Sequence, residues 1–402
     1  MFKDIYYTKL AKKEIFSDSL DLEEKDLFES TEYAMQLEKR NPVLEGVCNY
    51  LKLSSTDLSA IRKELNKRYK EMGIADGVPK TVKNWLEGTP VNPTANRSNL
   101  YNLCLALGLG LKEIKAFFLK NYMTIPFNYK DRIDAIYLYG ISHDMEYKEI
   151  QVLIDELKKY EDITGTANDE TVAIEGYILE IDDLSKFKEY LIQHTYSRRE
   201  QYNTALNEIN RLIVLDKKYA EIESIIKPEL GKDNNDSLDD NIASLLNIIY
   251  DYDNQKRYQN KQTNISKSQY LPRMFRENFP NDEEFSRIKN KEASPDLYRK
   301  ALIILKFYEF YCSLFITSIY GKSNPSKTDK KKNISWERNL VEIKEDWDDF
   351  YKETSKLLAK CGFVQMYARN PFDWLILYCA NSIDPMDTLR ELLQERFLNK
   401  YE

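Results

Sequence analysis

Lys80, Thr81, Lys83 and Asn84 fall on one short segment, Gly77-Val78-Pro79-Lys80-Thr81-Val82-Lys83-Asn84-Trp85-Leu86-Glu87-Gly88. Ammonium, hydroxyl and carboxamide groups of this kind can reach base edges and backbone phosphates. Their spacing leaves Val82, Trp85 and Leu86 on the opposite side, because helix positions three and four apart share a face. The segment predicts a small helix held by three apolar side chains, with Lys80, Thr81, Lys83, Asn84 and Glu87 turned to solvent. A second basic run, Lys322, Lys327, Lys330, Lys331 and Lys332, could also touch phosphates. Ser, Asn and Pro interrupt it, so a solvated loop is its plainer reading.

No other group of residues offers chemistry as clearly. The chain has two histidines, His143 and His194, and no arginine stands four to six residues before either. That removes the pattern of a helical ribonuclease. A Gly-rich phosphate loop, an HExxH pair and a GxSxG elbow are all missing from the sequence. Asp346, Asp348 and Asp349 sit among lysines and arginines, which describes a solvated helix face better than an acid–base or metal site. The run Phe307-Tyr308-Glu309-Phe310-Tyr311 reads as core, not as a base-stacking platform. An enzyme is therefore not expected, nor a cofactor or metal ion.

A length of 402 residues exceeds one ordinary core, so two or three domains are expected. With 42% apolar and 31% charged residues the chain is globular rather than disordered. Only 12 Gly and 12 Pro leave few breaks, which favours helices. The 29 tyrosines suit amphipathic helices, where the ring packs and the hydroxyl stays wet. A net charge of −7 argues against wholesale wrapping of nucleic acid but leaves room for a locally basic head. Five cysteines (Cys48, Cys104, Cys312, Cys361, Cys379) are scattered without a CxxC pair. Buried free thiols in a reducing, cytoplasmic setting are expected. Residues 1–5 show no apolar leader, and Lys306 and Glu309 break the apolar run at 301–320, so no membrane span is expected.

Along the chain, residues 1–42 read as a helical arm or cap, with Phe16, Leu20 and Phe28 as its apolar points. Helices are predicted over 43–53, from the Ser54-Ser55-Thr56-Asp57 cap to about 72, over 80–87, from Asn96-Arg97-Ser98 to 107, and over 111–122. Further helices are predicted near 171–193, 197–224, 237–255, 297–319, 335–361 and 385–398. The polar stretch 251–268 is the best linker candidate. Domain borders are placed at 42/43, 122/123 and 268/269. The expected fold is all-α, a five-helix bundle followed by a larger helical body, either a bundle or an irregular helical repeat.

The segment 43–121 resembles a phage-repressor-like helix-turn-helix domain. The likeness rests on Gly77 to Gly88 as quoted, then Pro90, then Leu103-Cys104-Leu105-Ala106-Leu107-Gly108-Leu109. The second helix and the turn Gly73-Ile74-Ala75-Asp76-Gly77 are longer than that family's pattern. The resemblance implies that the helix from Lys80 reads duplex DNA. Two function classes follow. One is a DNA-binding regulator whose helical body dimerises or senses an effector. The other is a non-enzymatic helical interaction protein from a phage or mobile element, inhibiting a host or defence complex.

Overall fold

A computed structural model describes residues 39–160 apart from 75, 90, 92–96 and 129–130, then 171–195, 202–226, 242–250, 279–320 and 340–393, with a few positions between 33 and 37. Every regular element among the described residues is helical, as the apolar spacing predicts. The chain divides into two compact units, Lys39–Asn203 with Lys360–Val364 and Thr204–Ala359 with Gln365–Glu402.

The first unit opens with α1 (Pro42–Leu51), α2 (Leu58–Glu71), α3 (Lys80–Leu86), α4 (Arg97–Ala106) and α5 (Leu111–Phe117). α5 runs on as a π-turn, Phe118–Tyr122, which Met123 closes with φ of 52°. Four more helices follow: α6 (Arg132–Ser142), α7 (Tyr147–Leu157), α8 (Thr171–Glu180) and α9 (Leu184–His194). Local chemistry explains most of the starts. Asn41, Asp57 and Asp131 each accept a first-turn N–H from the residue two or three positions on, satisfying donors that have no partner inside the helix. Pro42 occupies the first turn of α1, where its missing N–H costs nothing. The single helix predicted over 171–193 is two. Asp183 accepts from Ser185 and Lys186 and so begins α9 afresh.

One continuous core joins these helices, including Val47, Ile61, Leu65, Tyr69, Val82, Trp85, Leu103, Phe118, Ile136 and Leu153. Within it, Arg97 of α4 grips Asp134 of α6, and Tyr101 stacks on Tyr137 at 4.4 Å. The expected bundle at 43–122 is thus continuous with the helices that follow it.

In the second unit, α10 (Asn203–Ile226) presents Ala205, Ile209, Leu212 and Asp216 as one buried stripe. α11 (Ile242–Tyr250) and α12 (Asp282–Lys289) precede the long α13 (Pro295–Tyr320). The aromatic run on α13 is core as predicted: Phe307, Tyr308, Phe310 and Tyr311 are buried, and Glu309 pairs with Lys306 at 2.8 Å. α14 (Leu340–Lys360) rests Phe350 on Phe307 and Phe310, and its Trp347 indole donates to the Leu377 carbonyl at 3.0 Å. α15 (Pro371–Ala380) and α16 (Pro385–Leu393) complete the unit. The expected arm below residue 33, the linker at 251–268 and the last turn of the helix to 398 lie outside the described residues.

Candidate nucleic-acid interface

α3 is held from three sides. Val82, Trp85 and Leu86 are no more than 2% exposed, so the helix is anchored by the three residues its spacing selects. Asn41 supports its C-terminal end: the side-chain amide donates to the Trp85 carbonyl at 2.8 Å and the Leu86 carbonyl at 3.2 Å. Its Oδ1 meanwhile caps α1 by accepting from the Leu44 N–H at 3.0 Å. One asparagine therefore couples the start of α1 to the end of α3. Gly88 follows with φ of 96°, a left-handed stop that costs a glycine nothing.

The turn between α2 and α3 is tied down as well. Asn66 on α2 accepts the Val78 N–H at 2.9 Å. Gly77 has φ of 70°, and a Cβ there would come within 2.5 Å of the Asn66 Oδ1. Arg62 on α2 forms an ion pair with Glu87, just past α3. The side of α3 away from the core then offers Lys80, which is exposed, and Thr81, Lys83 and Asn84, which are half-buried rather than fully turned to solvent.

A feature the sequence reading missed lies beside it. Lys63, Lys67 and Lys70 are exposed and share one face of α2. That face adjoins the edge carrying Arg62 and Asn66, which bond Glu87 just past α3 and Val78 just before it. Residues 58–88 hold seven Lys or Arg against four Asp or Glu, so the local balance opposes that of the whole chain. The spacing of four and then three was the available signal. Lys67 lies 3.8 Å from Glu71, a distant surface pair worth little.

The remaining candidates take structural places. The ring of His143 stacks on Tyr139 at 4.1 Å, with Nδ1 2.9 Å from that residue's carbonyl oxygen. His194 stacks on Tyr190 at 4.0 Å. Asp348 and Asp349 both face Lys352 on α14. The five cysteines are buried free thiols, and burial raises Cys48, Cys104 and Cys379 away from the thiolate. Lys322, Lys327, Lys330, Lys331 and Lys332 lie outside the described residues. Among the described residues no group of three or more His, Cys, Asp or Glu could hold a metal ion, and no helix is long and apolar enough to cross a membrane.

What this geometry can do is present a short polar helix rigidly, beside a lysine-bearing helix, in a helix-turn-helix-like arrangement. No family model matches the chain, and no curated protein or solved structure matches it.

Proposed function

We propose that the protein is a non-enzymatic, DNA-binding regulator, with α2, the turn and α3 as its reading head and the rest of the helical body serving dimerisation or effector sensing. The observation that carries this reading is the placement of Lys80, Thr81, Lys83 and Asn84 on the outer side of a helix whose inner side is wholly buried. The lysine stripe of α2 supports it, because sequence-independent affinity for duplex DNA comes from cations near phosphates. In this reading Asn84 offers both donor and acceptor to adenine, a contact worth about 1–3 kcal/mol of discrimination. Lys83 serves guanine or a phosphate, and Lys80 a phosphate.

Titration of labelled duplex from the protein's own upstream region at two salt concentrations tests this. Asn84→Ala should relax sequence preference and keep non-specific binding. Lys80→Ala should weaken all sequences alike and lower the salt slope by about one unit. Equally poor, salt-insensitive binding by wild type and both variants would defeat the regulator reading. It would favour the alternative, a phage or mobile-element protein that docks on a host or defence complex through the bundle.

A further inference from the structure

We infer that the chain contains two copies of one helical module, and that α12 occupies in the second copy the place of α3 in the first. The packing order is the first observation. In the first unit α1 packs on α3, α3 on α4, α4 on α6 and α6 on α7. In the second, α11 packs on α12, α12 on α13, α13 on α15 and α15 on α16. Both series run in chain order, and among the described residues the second adds packing of α16 on α11 and α13 that α7 does not match on α1 and α4.

The second observation is a polar node whose companion bonds recur around two buried aspartates. Arg97 meets both carboxylate oxygens of Asp134, Nε to Oδ1 at 2.9 Å and Nη2 to Oδ2 at 2.5 Å. Arg299 on α13 meets both oxygens of Asp373 on α15 by another edge of its guanidinium, Nη1 to Oδ1 at 2.8 Å and Nη2 to Oδ2 at 2.6 Å. Each aspartate also accepts a backbone N–H from six residues upstream, Asn128 for Asp134 and Tyr367 for Asp373, both at 2.7 Å. Each arginine donates to the carbonyl eight residues before its aspartate, Pro126 at 2.9 Å and Gln365 at 3.1 Å. Three residues before each aspartate stands the helix cap, Asp131 or Asn370, which accepts from the following second and third N–H. A buried ion pair is costly to desolvate and is often no better than apolar packing. Two such pairs with the same companion bonds at the same offsets point to the same backbone path over the eight residues up to each aspartate, which chance does not readily repeat.

The short helices agree in register. Of the three inward residues of α3, Val82 and Trp85 correspond to the buried Phe285 and Ile288 of α12, while Leu86 falls opposite the exposed Lys289. Three residues beyond each pair the backbone turns left-handed, at Gly88 with φ of 96° and at Lys291 with φ of 60°. In this register Glu283 stands for Lys80, Glu284 for Thr81, Ser286 for Lys83 and Arg287 for Asn84. Two carboxylates at the leading end repel phosphates, so the second copy's helix does not read nucleic acid. This last clause rests on the reading proposed for α3; the duplication does not.

An experimental structure of the full chain tests the duplication. Superposing α1, α3, α4, α6 and α7 on α11, α12, α13, α15 and α16 should bring all five helices into the same order and direction, with Arg97 on Arg299 and Asp134 on Asp373. Coincidence of the arginine–aspartate nodes alone, with the helices running otherwise, overturns it. Duplex titration tests the division of roles in the full chain: Arg287→Ala should leave affinity unchanged, whereas Lys80→Ala lowers it severalfold. Equal losses from both variants overturn that division. Absence of any duplex binding removes the reading head and leaves the superposition to decide the duplication.

Discussion

Trp85 and Tyr122 meet edge to face, with ring centroids 6.3 Å apart and planes inclined by 62°. Tyr122 in turn donates its hydroxyl to the Leu100 carbonyl at 3.2 Å and packs against Phe117 and Phe118. The presented helix is thereby wedged onto α4 and onto the end of α5 by one aromatic contact. Trp85→Ala removes that wedge and leaves a cavity, a change that costs about 3–5 kcal/mol at a buried site. Urea unfolding should show the first unit's transition moved to lower concentration, with the second unit's unmoved. An unchanged profile would mean that Trp85 is not the anchor of α3.

Asp134 is fully buried, and burial raises its carboxyl to about 6 while the Arg97 guanidinium works against that rise. Burial alone would lower Arg97, but the charge of Asp134 outweighs it and holds the guanidinium ionised. Asp134→Asn keeps the shape and removes the countercharge, leaving Arg97 buried and unpaired at a cost of about 3–5 kcal/mol. Hydrogen exchange should quicken at the Asn128 amide, whose acceptor is weakened, and along α6. Unaltered protection at both places would show the pair to be ornamental to the fold.

Asp216 lies in the buried stripe of α10, fully shielded from solvent, and neither carboxylate oxygen has a hydrogen-bond partner among the described residues. Burial and then the charge of Glu309 raise it well above the usual carboxylate range, against the opposing pull of Lys306 and Arg211. A group whose folded value is raised holds its proton more tightly in the folded state. Its contribution to stability is fully present below the unfolded value of about 4 and is lost as pH rises through the folded value. The penalty grows by roughly 1 kcal/mol for each pH unit in that window. Asp216→Asn should remove the dependence, so its gain over wild type in urea midpoint should be larger at pH 8 than at pH 5. Parallel pH profiles for the two proteins would contradict this.

The anchoring of α3 was legible in residues 77–88 because it depends on local periodicity alone. Val82, Trp85 and Leu86 are fixed on one face by helix geometry, and burying them requires only some apolar neighbour. The aromatic run at 307–311 and the five cysteines were legible for the same reason. Asn41 falls outside that local pattern. Its two-sided role at α1 and α3 joins residues 44 or more positions apart and leaves no local trace.

By itself the sequence determined an all-helical protein, the starts of most helices and the inward faces of the short ones. These follow from spacing, capping chemistry and scarce Gly and Pro, which act within a few residues. Only the tertiary structure decided that the bundle at 43–122 is continuous with α6 to α9, that Lys63, Lys67 and Lys70 flank the approach to α3, and that the companion bonds of Arg97 with Asp134 recur around Arg299 with Asp373. The partners in those nodes lie 37 and 74 residues apart. Side chains that far apart along the chain are brought together by the packing of whole helices, and no short-range pattern encodes that packing.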